Sequence, residues 1–277
     1  MSPIVRFLLC LLLMASVGPS DADEQVLKAL YSIQPLQYHR WEPQALGRAI
    51  HVVVKLPSSY AEAPDAQYPT VYLLDGGELF PILAGYQNYL VLQKTVPEAI
   101  VVGLSYGATD FEGGNMRSTD YTAPSDERDW WGGAAMFQQA LRDELVPLIE
   151  TNYRADPGRR VLFGQSLGGQ FVLYSALTEP GLFWGRIASN PALHRNLPFF
   201  LQPPGRVNSA DSKLFVASAT ADDPQFRQPA RAWIEHWNAQ ESTPWTLRAV
   251  DIEGYGHFSL VTESYRQGME WLFEQEE

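Results

Sequence analysis

The chain has 277 residues, 45% of them hydrophobic, a formal net charge of -12 and a single cysteine. The acidic balance argues against a nucleic-acid-binding protein, and the length suffices for one sizeable core without disulfide staples. The cysteine, Cys10, lies in the N-terminal apolar run, so a chain processed beyond it has no thiol nucleophile, disulfide or thiolate metal site.

Residues 1–22 read as a secretory signal peptide, with one arginine (Arg6), an apolar core from Phe7 to Val17, and small residues at Ser20 and Ala22. An apolar run of about 11 residues is short for a spanning helix. Cleavage near Ala22 is therefore expected, with cleavage after Gly18 and an uncleaved anchor as alternatives. Leu9 before Cys10 argues against a lipid-modified cysteine. Cleavage would remove Arg6 and Asp21 together and leave the net charge unchanged. Export without cysteines suits the bacterial periplasm or the extracellular space, and no stable membrane span is expected after cleavage.

Residues 23–277 read as a single domain, without repeats, low-complexity tracts or a long linker. Tyr38 to Trp41 and Ala49 to Leu56 are strand-like and flank a turn containing Gly47; the alternation of Ile50, Val52 and Val54 predicts an edge hairpin. Thr70 to Leu74 and Ile100 to Leu104 read as buried strands, with a helix from Glu78 to Lys94 between them. Ser105 to Gly133 is rich in Gly, Asp and Trp and lacks periodicity, which predicts a functional loop. From Ala134 to Tyr153 apolar residues recur at three and four, predicting an amphipathic helix. Strands at Arg186–Ser189, Lys213–Ala219 and Thr246–Ile252 then alternate with helices at Gln225–Ala239 and Leu260–Phe273. This alternation predicts an α/β fold whose central sheet is mostly parallel, with helices on both faces and an N-terminal antiparallel hairpin. Such sheets bind ligands at the carboxyl ends of their strands.

The chemistry centres on Val161-Leu162-Phe163-Gly164-Gln165-Ser166-Leu167-Gly168-Gly169, where an apolar strand pattern breaks into G-x-S-x-G and resumes with helical spacing up to Glu179-Pro180-Gly181. This is the pattern of a nucleophile elbow, a strained strand-to-helix turn that lifts Ser166 beside the positive end of a helix. The bland alternative is a glycine-rich turn with a buried serine. A serine hydroxyl needs a base, and His257, after the last strand and before the last helix, occupies the position expected from the chain order serine, acid, histidine. His39, His51 and His236 read as structural or solvent-facing, while His194, after the next strand, could border the pocket and is the alternative base. The acid should lie on a strand-end loop between the two. Asp222 is the first choice and Asp223 the second; Glu253, Asp251 and a pair lacking any acid remain alternatives, and an Asp-Asp-Pro helix start accounts for one of the two aspartates. For the oxyanion the expected backbone donors are Leu167 and Gly77, the latter in Asp75-Gly76-Gly77 after an early strand.

In one order along nearly the whole processed chain, Tyr72-Leu73-Leu74-Asp75-Gly76-Gly77, Asp120-Tyr121-Thr122-Ala123-Pro124, Gly132-Gly133-Ala134, Glu144-Leu145-Val146-Pro147-Leu148-Ile149-Glu150, Gly164-Gln165-Ser166-Leu167-Gly168-Gly169 and Gly256-His257-Phe258-Ser259 resemble the putative-esterase family of α/β hydrolases. The resemblance implies the α/β-hydrolase fold and the position of Asp222 rather than Asp223 for the acid. Asn190-Pro191-Ala192-Leu193-His194-Arg195 departs from the family pattern of Ser-Pro-Ser followed by aromatics.

An exported member with Leu46-Gly47-Arg48 and Gly132-Gly133-Ala134 looks most like the periplasmic siderophore esterases, which cut the trilactone backbone of catecholate siderophores such as enterobactin to help release iron. On that resemblance the expected partner is a small-molecule ester, a ferric catecholate among the candidates. Flat, anionic catecholates point to Arg117, Trp130 and Trp184 as substrate contacts, alongside Met116, Tyr121, Trp131 and Arg195. The alternatives are a general carboxylesterase or thioesterase for short or aromatic acyl esters, and an inactive siderophore-binding protein. The serine mechanism needs no cofactor, and the scattered histidines show no metal-ligand spacing.

Overall fold

The structure, a computed structural model, describes residues 36–204 and 211–274; the leader expected at 1–22 lies outside the described residues. An eight-stranded sheet runs in the order β1-β2-β4-β3-β5-β6-β7-β8. The strands are β1 (Gln37–Trp41), β2 (Ile50–Lys55), β3 (Tyr68–Leu73), β4 (Ile100–Ser105), β5 (Ala155–Gln165), β6 (Gly185–Ser189), β7 (Lys213–Ala219) and β8 (Thr246–Ile252). β1 and β2 form an antiparallel hairpin whose second strand also pairs antiparallel with β4, and every other pairing is parallel.

Strand residues alternate between two apolar layers, as the two-residue period of a strand requires. Tyr72, Leu74, Val102, Leu162 and Val216 face one layer, where Phe137, Phe171 and Trp233 pack. Val71, Leu73, Phe163, Ile187 and Phe215 face the other, closed by Leu83, Tyr265 and Met269. The helices that supply these layers are α1 (Gly76–Leu92), α3 (Ala134–Ala140), α5 (Leu167–Thr178), α7 (Pro224–Asn238) and α8 (Val261–Leu272), with short helices α2 (Arg117–Asp120) and α6 (Leu197–Phe200) at loop positions. The predicted 134–153 helix is not uniform. A π-helical turn (Leu141–Leu145) joins α3 to α4 (Val146–Asn152), because Pro147 near the start of α4 cannot donate the hydrogen bond an unbroken α-helix would need.

The site depends most on how β5 meets α5. A Cβ on Gly164 would sit 2.3 Å from the carbonyl oxygen of Gly168, and one on Gly169 would sit 2.9 Å from the carbonyl oxygen of Ser189. Strand, helix and the neighbouring strand end therefore close to backbone contact. Gly164→Ala is expected to cost about 3 kcal/mol, lowering the midpoint of thermal unfolding by about 6–12 °C. Gly85, exposed within α1, supplies the control, since a Cβ there would meet no atom within 4 Å. Gly85→Ala should leave the melt unchanged or raise it slightly. Equal melts for Gly164→Ala and the parent would contradict the contact.

Candidate active site

Four strand ends deliver the site. β5 ends at Gln165, and the next residue, Ser166, takes φ 58° and ψ −113° before α5 begins. For a non-glycine residue that conformation costs about 1–3 kcal/mol, and its surroundings hold it in place. The Ser166 amide donates to the Ser189 carbonyl at 3.0 Å, and its carbonyl accepts from Gln170 at 2.9 Å and Ala192 at 3.0 Å. The hydroxyl is thereby fixed at the carboxyl edge of the sheet.

The loop after β8 carries His257, whose Nε2 lies 2.9 Å from Ser166 Oγ. Its Nδ1 lies 2.8 Å from Oδ2 of Asp222, on the loop after β7. The Asp222 side chain is only 2% exposed and that of His257 13%. A buried carboxylate at Nδ1 fixes the tautomer with its proton there and leaves Nε2 free to accept from the serine hydroxyl. The adjacent Asp223 does different work: it caps α7, accepting from the Gln225 amide at 2.9 Å. Its own amide donates to Asp222 Oδ1 at 2.7 Å, so the helix start also orients the carboxylate that faces the histidine. Asp251 instead lies near Arg227 and Arg231.

The other histidines are engaged elsewhere. His39 bonds the Tyr153 hydroxyl and His51 the Tyr38 hydroxyl, while His236 stacks edge-on against Trp237. His194 borders the site: its ring packs edge-on against Phe226, whose other neighbour is the His257 ring at 4.5 Å. Burial, and then the Arg195 charge, hold the His194 pKa below its usual value.

Leu167 is the first residue of α5 and Gly77 lies in the first turn of α1. The first amides of a helix have no acceptor within it, and among the described residues neither of these two donates to another backbone carbonyl. Asp75 precedes them in left-handed geometry, φ 54°. Its carboxylate takes both Nε and Nη2 of Arg117, at 2.7 and 2.8 Å, and its amide donates to the hydroxyl of the buried Tyr121. Burial opposes the Arg117 charge, yet the hydrogen bonds and charge of Asp75 outweigh it and raise the guanidinium pKa.

A cleft of about 560 Å³ opens over Ser166, lined by the apolar Leu79, Phe226 and Phe258 and by the polar Asp75, Asn115 and Arg117. Of the three expected substrate contacts, Arg117 lines the cleft, with its fork committed to Asp75. Trp130 lies outside the lining, 46% exposed and packed beside Phe111 with Arg128 over its ring. Trp184 is corrected: it immediately precedes β6 and so stands at the amino end of a strand whose carboxyl end, Ser189, borders the site. There it packs on Phe273 beneath Arg159 and Lys213, across the sheet from Ser166.

One residue that sequence reasoning left without a role braces the histidine loop. Asn190, 2% exposed and at φ 40°, follows β6. Its Nδ2 donates to the His257 carbonyl at 3.0 Å and more weakly to that of Gly256 at 3.4 Å, while its Oδ1 accepts from the Ala219 amide at 2.7 Å. The Gln165 side-chain amide donates to the same His257 carbonyl. Asn190 stands where the sequence departs from the family pattern, and that departure was the only signal pointing to it.

Known proteins share this architecture. The chain is similar to the ferri-bacillibactin esterase BesA of Bacillus subtilis, 34% identical over 172 residues that cover 56% of this chain and 57% of that one. It is also similar to the apo-salmochelin esterase of Escherichia coli, 31% identical over 57% of this chain and 51% of that one. The aligned part thus spans about half the length of these curated relatives. An IroE-like serine hydrolase from Shewanella oneidensis superimposes with a TM-score of 0.74 at 24% identity, covering 87% of this chain and 80% of that one, which shows a shared fold. Residues 43–258 match the family described as putative esterase, and the chain belongs to that family.

Proposed function

We propose that the protein is a serine esterase that hydrolyses carboxylic esters through an acyl-enzyme. The observation that carries this reading is the hydrogen-bonded line from Ser166 through His257 to Asp222 at the edge of an open cleft. His257 Nε2 takes the serine proton as Oγ adds to the ester carbonyl, and Asp222 stabilises the imidazolium so formed. The oxyanion develops toward the amides of Leu167 and Gly77, with the positive end of α5 behind it. Collapse expels the alcohol, which takes its proton from His257; water, deprotonated by the same histidine, then releases the acid and restores Ser166.

The proposed physiological ester is the trilactone backbone of a catecholate siderophore. That part rests on the similarity to esterases named for ferri-bacillibactin and salmochelin. Residues 1–22 are proposed as a leader that directs residues 23–277, the catalytic domain, to the periplasm. No helix among the described residues is long and apolar enough to cross a membrane.

Ser166→Ala should abolish turnover of an aryl acetate and of enterobactin while the melt stays within a few degrees of the parent. Chromatographic separation of the products reads the specificity: cleavage of the aryl acetate or a feruloyl ester but never of the trilactone would overturn the siderophore assignment. The two aspartates separate the acid from the cap. Asp222→Asn should lower kcat by about 10³–10⁴-fold, whereas Asp223→Asn, which keeps a capping oxygen, should stay within about tenfold; the reverse order would contradict the assignment. For Asn190, glycine retains the left-handed backbone without the side-chain amide. Asn190→Gly should lower kcat about tenfold with KM within about twofold, and unchanged kcat would show that the brace does not set the position of His257. N-terminal sequencing of protein recovered from the periplasm should begin at Asp23.

A further inference from the structure

The charges around the cleft bear on which form of an ester it accepts, an inference that rests on the esterase reading above. A ferric ion held by three catecholate dianions carries three negative charges, whereas the iron-free catechols keep most of their protons near neutral pH. The sequence offered Arg117 as the cation for the charged form. In the structure the Nε–Nη2 edge of that guanidinium is taken by both carboxylate oxygens of Asp75, at 2.7 and 2.8 Å, so the two charges cancel and the pair presents no net charge to a ligand. Among the described residues no other arginine or lysine lines the cleft. Arg195, on a neighbouring loop, is held by Glu127 at 3.1 Å.

The carboxylates are not balanced in the same way. Besides Asp75 and the Asp222 that faces His257, Glu78 and Asp223 line the cleft. Glu78 sits in the first turn of α1 and Asp223 caps α7, so these two helix N-termini already hold a carboxylate. The first turn of α5, directly behind Ser166, contains no acidic residue. Its positive end is thus left for the oxyanion that forms during reaction. The cleft stabilises negative charge at one point, the reacting carbonyl, and repels it elsewhere, while Leu79, Phe226 and Phe258 offer apolar surface to an uncharged ring.

We infer that the cleft selects uncharged esters over anionic ones, so that the iron-free trilactone, and not its ferric complex, is the preferred siderophore form. Cleavage would then linearise a chelator that holds no iron.

Two matched comparisons test this with the full exported protein. The first sets iron-free against ferric enterobactin. The second sets p-nitrophenyl butyrate against the similarly sized p-nitrophenyl half-ester of succinate, each rate corrected for its enzyme-free hydrolysis, which in the half-ester includes attack by its own carboxylate. The expected kcat/KM is at least about tenfold higher for the uncharged member of each pair. The gap should narrow between low and about 0.5 M salt, where exposed charges are screened, and should narrow again in Glu78→Gln. Equal or faster turnover of the ferric complex together with the succinate half-ester would overturn the inference while leaving the esterase reading intact. Cleavage of the aryl esters alone would remove the trilactone but still read the charge preference. No cleavage of any ester would instead overturn the proposed function.

Discussion

Gly164 and Gly168 meet across the turn from β5 to α5 with no room for a side chain on Gly164, and the rest of the site follows from that contact. Because the helix crosses so close to its strand, Ser166 is forced into a backbone conformation that L-residues avoid. The same turn ends β5 and starts α5 on either side of the serine, so Ser166 stands at the N-terminus of that helix. The cost is offset by one sheet neighbour: β6 accepts the Ser166 amide at Ser189, and the segment after β6 returns a hydrogen bond from Ala192. A strained nucleophile is thereby held by ordinary backbone pairing in a buried sheet.

The partners of Ser166 are placed by the same means, each on a short loop leaving the carboxyl end of a parallel strand. What keeps His257 in register is less obvious. Its ring is fixed by Asp222 on one side and packed against Phe226 on the other, but its backbone depends on two side-chain amides, those of Asn190 and Gln165. Asn190 also takes the Ala219 amide at the end of β7. A single buried side chain thus ties the end of β6 to the loop of the base and to the strand that leads to the acid.

Much of this was legible in the chain. The alternation of Ile50, Val52 and Val54, the apolar run from Thr70 to Leu74 and the three-to-four spacing after Ala134 encode burial directly, so sheet and helices follow. Ser166 and His257 stand out because their roles demand local backbone geometry, which leaves glycine at fixed offsets. The division of labour between Asp222 and Asp223 was open, since both suit a loop and both suit a helix start. Only the fold shows which carboxylate faces the imidazole.

What stayed hidden depends on distant partners. Arg117 looks like a free cation until Asp75, 42 residues earlier, takes its Nε–Nη2 edge with both carboxylate oxygens. The brace at Asn190 reaches across to a carbonyl 67 residues later, and no local pattern announces it. Trp184 was misread for a simpler reason: it precedes a parallel strand and so belongs to the amino end of the sheet. The central claim, that this turn presents an activated serine, is tested most directly by intact mass and peptide mapping after brief exposure to a fluorophosphonate. The account predicts one adduct per chain, on Ser166, formed far more slowly when His257 is replaced by alanine. Labelling elsewhere, or labelling of Ser166 at the same rate without His257, would contradict it.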